Sequence, residues 1–139
     1  MKFTNGYWML RDEIEASYAV EYAKHTVNGN KLEVYLPAKH MSGRGDALNI
    51  ALLTLTLSSP QEGVIKVSAV HHKGMPYKGP FAAVKNENPN VTIEDTEDQL
   101  IYKSGTLKAV IDKAPNAYKL AFYEGDTFLT ESSFRNLAY

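Results

Sequence analysis

Leucine and threonine alternate through Leu52-Leu53-Thr54-Leu55-Thr56-Leu57, and no other stretch constrains the fold of this chain so strongly. A period of two puts Leu53, Leu55 and Leu57 on one face of an extended segment and Leu52, Thr54 and Thr56 on the other. The first face is wholly apolar, so the segment reads as a mostly buried strand. Ser58-Ser59-Pro60-Gln61-Glu62-Gly63 then supplies turn residues. Beyond it Ile65, Val67 and Ala69 alternate with Lys66 and Ser68, which predicts one buried and one wetter face. Leu52 to Gly74 is therefore an antiparallel hairpin that closes on His71-His72-Lys73-Gly74.

Short alternating runs punctuated by turns recur along the rest of the chain. Val27-Asn28-Gly29-Asn30 separates Tyr18–Val27 from Lys31–Leu36, and Asn-Gly signals a type I′ hairpin because both residues tolerate positive φ. Leu32, Val34 and Leu36 share a buried face. Pro37 ends that run, since it has no N–H for a ladder, and Lys39–Gly45 reads as a loop. Asn86–Asn90 is a polar connection. Val91–Glu94, Leu100–Tyr102 and Thr106–Asp112 follow as strands, the last two joined by a tight turn at Lys103-Ser104-Gly105-Thr106. Glu124-Gly125-Asp126 turns between Tyr118–Tyr123 and Thr127–Ser132. In Arg11–Tyr22, Ile14, Tyr18 and Tyr22 fall at helical spacing, yet Tyr18-Ala19-Val20-Glu21-Tyr22 suits a strand, which is the reading favoured. With no crossover helices in view, the pattern is all-β, an antiparallel sandwich or barrel rather than an α/β fold.

A chain of 139 residues can bury a core as one domain without covalent staples. Fifteen basic and sixteen acidic side chains, net −1, leave no block of charge to attract nucleic acid or anionic lipid. The absence of cysteine excludes disulfides and thiolate metal sites. The first eight residues lack a signal-peptide pattern, and no apolar run is long enough to span a bilayer. The expectation is a cytoplasmic protein with neither a nucleic-acid nor a membrane partner.

Each chemistry-bearing cluster has a plainer reading beside it. His71-His72 resembles a metal pair, but neighbours on a strand face opposite ways, and zinc needs three or four ligands. No metal and no cofactor is expected. Glu94-Asp95-Thr96-Glu97-Asp98 lacks the glycine and bidentate glutamate of a calcium loop and reads as a solvated turn. Arg44-Gly45-Asp46 matches an adhesion tripeptide by chance, and Asn90-Val91-Thr92 reads as strand sequence rather than a glycosylation acceptor. Tyr7, Trp8, Tyr18, Tyr22 and Tyr35 could stack on sugar rings, although aromatics are also favoured fillers of strands. No Gly-x-Ser-x-Gly, cysteine nucleophile or phosphate loop occurs. No residue is assigned as catalytic.

Several stretches together resemble the beginning of bacterial α-xylosidases of glycoside hydrolase family 31: Met1–Arg11, Tyr18–Glu21, Arg44–Asn49, Leu53–Ile65, His71–Gly74, Gly79-Pro80 and Ser133–Tyr139. The resemblance is thinnest from Val84 to Glu131. It implies a galactose-mutarotase-like β-sandwich preceding a (β/α)8 barrel that carries two catalytic aspartates, one the nucleophile and one the acid/base. None of the barrel motifs is in this sequence, nor is the family's later Tyr-Gly-Leu-Gly-Glu-like segment.

The resemblance thus implies that residues 1–139 are one sandwich domain, or a truncated part of it, which supports a downstream barrel and is itself inactive. Arg44, Asp46, His71, His72 and Lys73 are the candidate structural or domain-interface residues. The expected partners are the barrel of the same polypeptide, a possible second copy pairing along an exposed sheet edge, and the parent enzyme's carbohydrate substrate, an α-xyloside or α-glucoside. Two other classes remain open. One is an independent carbohydrate-binding module; the other is a sandwich interaction domain unrelated to sugars.

Overall fold

Alternating burial builds two antiparallel sheets, seen in a computed structural model that describes residues 10–72, 89–133 and 135–139. In the first sheet, strands β1 (Lys24–Asn28), β2 (Lys31–Pro37), β3 (Leu52–Ser58) and β4 (Lys66–Val70) lie in sequence order. The second sheet runs likewise through β5 (Val91–Asp95), β6 (Gln99–Ser104), β7 (Leu107–Asp112), β8 (Leu120–Glu124) and β9 (Thr127–Ser132). Every pairing is between sequence neighbours and antiparallel, so both sheets are meanders. The long β2–β3 connection contains a single 3-10 turn, Arg44–Ala47.

The inner faces are those the alternation marks. Leu32, Val34 and Leu36 of β2 lie beside Leu53, Leu55 and Leu57 of β3 in register, and Leu100, Tyr102, Ala109, Ile111 and Leu120 join them from the second sheet in one buried cluster. This face-to-face burial of two sheets makes the protein a β-sandwich. Burial of five leucine-sized side chains from β2 and β3 alone supplies much of the driving force, at about 1.5–3 kcal/mol each.

Polar contacts tie the sheets where the apolar layer gives out. The Tyr102 hydroxyl, fully buried, donates to the Asn30 carbonyl at 2.7 Å, while Asn30 Nδ2 donates to the Pro89 carbonyl at 3.3 Å. Ser104 Oγ accepts the Gly63 N–H at 3.1 Å and shares a 2.8 Å hydrogen bond with Ser59 Oγ, clamping the β3–β4 turn onto the end of β6.

Three expectations need correction. The inner side of β4 is not buried: Val67 is 42% exposed and all five residues of the strand are exposed, because an open groove separates Val67 and Ala69 from Leu120 and Phe122 of the second sheet. The β1–β2 hairpin closes through Gly29-Asn30, with Asn28 already paired to Lys31. Only Gly29 there takes positive φ, 57°, the pattern of a II′-like loop rather than the doubly left-handed I′. Finally, Arg11–Tyr22 forms no regular element. Its backbone is tied strand-fashion at single points instead, with Tyr18 bridging Ala138, Ala19 N–H donating to Leu137 O at 3.0 Å and Val20 N–H to Pro37 O at 3.0 Å.

Candidate functional site

The loop after β2 explains why Arg44-Gly45-Asp46 is there. Asp46 turns back across its own loop, where its carboxylate accepts the Ser42 hydroxyl at 2.8 Å, the Ser42 N–H at 3.0 Å, the Gly43 N–H at 2.9 Å and Lys39 Nζ at 3.3 Å. The Ser42 hydroxyl, then the Lys39 ammonium and the two backbone N–H groups, hold its carboxyl down to about 2. A carboxylate so occupied closes the loop and offers little to an outside ligand. Arg44 projects from the same turn and is exposed.

His71 and His72 leave the end of β4 with their rings perpendicular and 5.7 Å apart. His71 stacks on Tyr139 at 3.8 Å between ring centroids, and its Nδ1–H donates to the Leu52 carbonyl at 3.3 Å, which fixes the proton on that nitrogen. The Asp46 and His71 groups therefore have separate sets of partners. Lys73 lies outside the described residues, as do Tyr7 and Trp8. Among the described residues no three His, Cys, Asp or Glu side chains come together as a metal site.

Two clusters were not singled out from sequence. Glu21, only 6% exposed, sits between three separate segments: its carboxylate accepts His40 Nδ1–H at 2.6 Å, Met41 N–H at 2.9 Å and Asn116 N–H at 3.1 Å. Burial pushes its pKa up, but the hydrogen bonds from His40, Met41 and Asn116 together outweigh burial and hold the carboxyl below its usual range. A lone acid in the apolar run Tyr18-Ala19-Val20-Glu21-Tyr22 was the available signal. The second cluster links the sheets beside β1 and β5. There Tyr22 Oη and His25 Nδ1 share a 2.8 Å hydrogen bond, His25 Nε2 is 3.8 Å from Asp95 Oδ2, and Lys113 pairs with Asp95 while donating to the Thr96 carbonyl at 2.6 Å.

The acidic run is consumed in the same way. Besides Asp95 on Lys113, Glu94 accepts Lys103 Nζ at 2.5 Å, and Thr96 closes the β5–β6 turn on Gln99. The tyrosines do not assemble a platform: Tyr18 lies under the Arg135 guanidinium, Tyr22 under Lys113, and Tyr35 beside Lys24. Glu21, Asp46, Glu94 and Asp95 are each engaged by a neighbouring donor of the fold, so none of the four faces another carboxyl across a cleft as sugar hydrolysis requires.

A groove of about 310 Å³ lies between β4 and the second sheet, lined by Leu55, Val67 and Ala69 on one side, by Tyr118, Leu120 and Phe122 on the other, and by Ser132, Asn136 and Leu137. Its lining is mostly apolar and it is open to solvent.

The chain is 33% identical over 132 residues to the α-xylosidase XylQ of Lactiplantibacillus pentosus, a match covering 95% of this chain and 17% of that protein. It is 32% identical over 146 aligned positions to an α-xylosidase of Emericella nidulans, covering 100% of this chain and 19% of that enzyme. The chain is thus a homologue of α-xylosidases that spans less than a fifth of their length. No protein-family model matches it.

Proposed function

We propose that these 139 residues are the N-terminal, galactose-mutarotase-like sandwich of a family 31 glycoside hydrolase acting on terminal α-linked xylose, with an α-glucoside as the alternative substrate. The observation that carries this reading is the match to α-xylosidases along almost the whole chain but only a small fraction of theirs. The chemistry agrees with it. The buried carboxylate Glu21 holds three segments together, Asp46 closes its loop and Asp95 lies against His25 of the other sheet. In such an enzyme the reaction belongs to two barrel aspartates, one displacing the aglycone to form a glycosyl ester and the other donating and then abstracting the proton. The sandwich supplies a rigid wall for the barrel and a surface for oligomer contacts. The protein works in the cytoplasm.

Two preparations test this: the 139-residue chain, and the same chain continued by its downstream coding sequence. With an aryl α-xyloside the chain alone is expected to release no more phenol than buffer, and the longer protein to hydrolyse the glycoside with retention of anomeric configuration. Turnover by the pure chain would overturn the non-catalytic role. A longer protein without glycosidase activity would overturn the enzyme class.

A further inference from the structure

Residues 38–51, which join β2 to β3, form a loop closed on itself. Ala38 N–H donates to Ala51 O at 3.0 Å across its base, and the Asp46 carboxylate gathers the Ser42 and Gly43 N–H groups at its tip. Asp46 N–H to Gly43 O at 3.1 Å and Leu48 N–H to Gly45 O at 3.3 Å tighten that tip further. Among the described residues, the hydrogen bonds that leave this loop for another part of the chain come from His40 Nδ1–H and Met41 N–H. Both end on Glu21.

Glu21, by contrast, is fixed to the body of the sandwich. Val20 N–H donates to Pro37 O at 3.0 Å, Tyr118 N–H to Val20 O at 2.8 Å and Ala23 N–H to Tyr35 O at 3.0 Å, so the backbone on either side is tied down. The carboxylate also accepts Asn116 N–H from the β7–β8 connection. Among the described residues the buried polar side chains are Glu21 and Ser104, and of these only Glu21 ionises. The counter-charge beside it is His40. The other charged groups on the three segments that meet there are engaged elsewhere or exposed. Lys39 pairs with Asp46, Arg11 with Glu13, Lys113 with Asp95 and Lys119 with Asp112, while Asp12, Glu15 and Arg44 are exposed. Of the tyrosines, Tyr22 bonds to His25 and Tyr18 lies under Arg135. Tyr118 bonds to Ser132.

We propose that Glu21 is a proton-controlled latch: ionised, it docks the β2–β3 loop onto the sandwich, and protonated, it lets the loop swing out about its Ala38–Ala51 base as one closed unit while both sheets stay intact. A proton from solvent removes the charge that His40 pairs with and occupies an oxygen that accepted an N–H, so both attachments of the loop weaken at once. The loop carries Arg44 and Leu48, the latter 74% exposed, and its release displaces both. The sign follows from linkage. Burial opposes the charge, but the hydrogen bonds from His40, Met41 and Asn116 hold the carboxyl below its ordinary 4.5. The latch is therefore at full strength above pH 4.5 and is lost as the pH falls through the lowered value. Asp46, held at about 2, keeps the loop closed on itself down to about that pH.

Amide exchange followed by NMR on the 139-residue chain, from neutral pH down to about pH 3, tests this when each rate is divided by its intrinsic value at the same pH. Carboxyl carbon shifts locate the Glu21 titration in the same samples. Protection of the Met41 amide is expected to fall by about tenfold or more in step with that titration. Ala38 at the loop base, Asp46 at its tip, and Leu55 and Tyr102 within β3 and β6 are expected to keep theirs. Glu21→Gln, which cannot ionise, is expected to show the low Met41 protection at every pH. Met41 protection that stays constant through the Glu21 titration would overturn the inference, as would neutral-pH protection in Glu21→Gln equal to the parent's. Simultaneous loss at Met41, Leu55 and Tyr102 would overturn it too, because the carboxylate would then hold the whole fold rather than one loop. If Glu21→Gln does not fold, the titration of the parent chain decides alone.

Discussion

At the scale of single residues one carboxylate, Glu21, carries most of the information, because its burial makes partners obligatory. Glu21 is the sharpest case: it is nearly buried and accepts hydrogen bonds from His40, from Met41 N–H and from Asn116 N–H. Glu21→Ala removes the acceptor but leaves the donors, two of them backbone groups. Asn116 and His40 reach solvent and regain water, so the expected loss is about 2 kcal/mol, the range for one partly buried donor left unpaired. A chemical-denaturation midpoint measures it; a loss below a few tenths would show that the junction of these three segments is held by packing alone. The same carboxyl sets a pH dependence. Its pKa is lower folded than its ordinary 4.5, so its stabilisation is fully present above that value and is lost as the pH falls through the lowered folded value. Glu21→Gln, which cannot ionise, should therefore flatten the acid limb of the stability curve below pH 4.5, and parallel limbs for variant and parent would contradict the assignment. Nothing in the sequence distinguished Glu21 from an exposed acid except its apolar neighbours, since its three partners lie 19, 20 and 95 residues away.

At the scale of elements, hairpin turns show how local chemistry and tertiary contact divide the work. Gly105 and Gly125 both take positive φ, 59° and 56°, in two-residue loops that join β6 to β7 and β8 to β9. A side chain at either position costs about 1 kcal/mol of backbone strain. A Cβ at Gly105 would also come within 3.2 Å of Glu62 Cγ, whereas at Gly125 nothing lies within 4 Å. Gly105→Ala should accordingly destabilise more than Gly125→Ala in the same denaturation assay, and Glu62→Ala in the Gly105→Ala background should bring the two costs together. Equal costs without that second change would mean that Glu62 swings aside freely. These turns, the buried faces of β2 and β3, and the end of β2 at Pro37 were all legible in the sequence, because a two-residue period and a glycine at a turn are local signals. The I′ reading at Asn28-Gly29 missed by one residue because pairing extends to Asn28↔Lys31 and leaves Gly29-Asn30 as the loop. Arg11–Tyr22 was ambiguous for a deeper reason: its pairing partners are Ala138, Leu137 and Pro37, and no local pattern announces single distant bridges. The candidate residues fared similarly. Asp46 lies one residue past the loop read at Lys39–Gly45 and nothing local marks it as that loop's clasp, and the His71 stack on Tyr139 joins distant parts of the sequence.

At the scale of the whole molecule the sandwich is asymmetric, and alternation could not reveal that. The Ile65-Val67-Ala69 pattern correctly identifies which face of β4 points inward, but whether anything lies opposite depends on how the second sheet is laid across the first. Here that sheet covers β2 and β3 and leaves the β4 side as a groove. The asymmetry should be visible as a gradient in backbone opening. Amides of β2, β3, β6 and β7 sit in the interior of their sheets, between two neighbours and under the shared apolar cluster, so their exchange requires global unfolding. Among the described residues β4 has one neighbour and exposed side chains throughout, with an open groove between it and Leu120 and Phe122 of the second sheet, so it opens locally at lower cost. β1 has one neighbour too, yet the His25–Asp95 contact and the Asn30 bridges hold it to the second sheet. Native-state hydrogen exchange on the 139-residue chain should therefore rank β3 slowest, β1 intermediate and β4 fastest within the first sheet. Protection of β4 equal to that of β3 would contradict the picture of an open side. A β4 that exchanges rapidly while β3 keeps its full protection would show that the leucine core of β2 and β3 holds the sandwich together without help from the fourth strand.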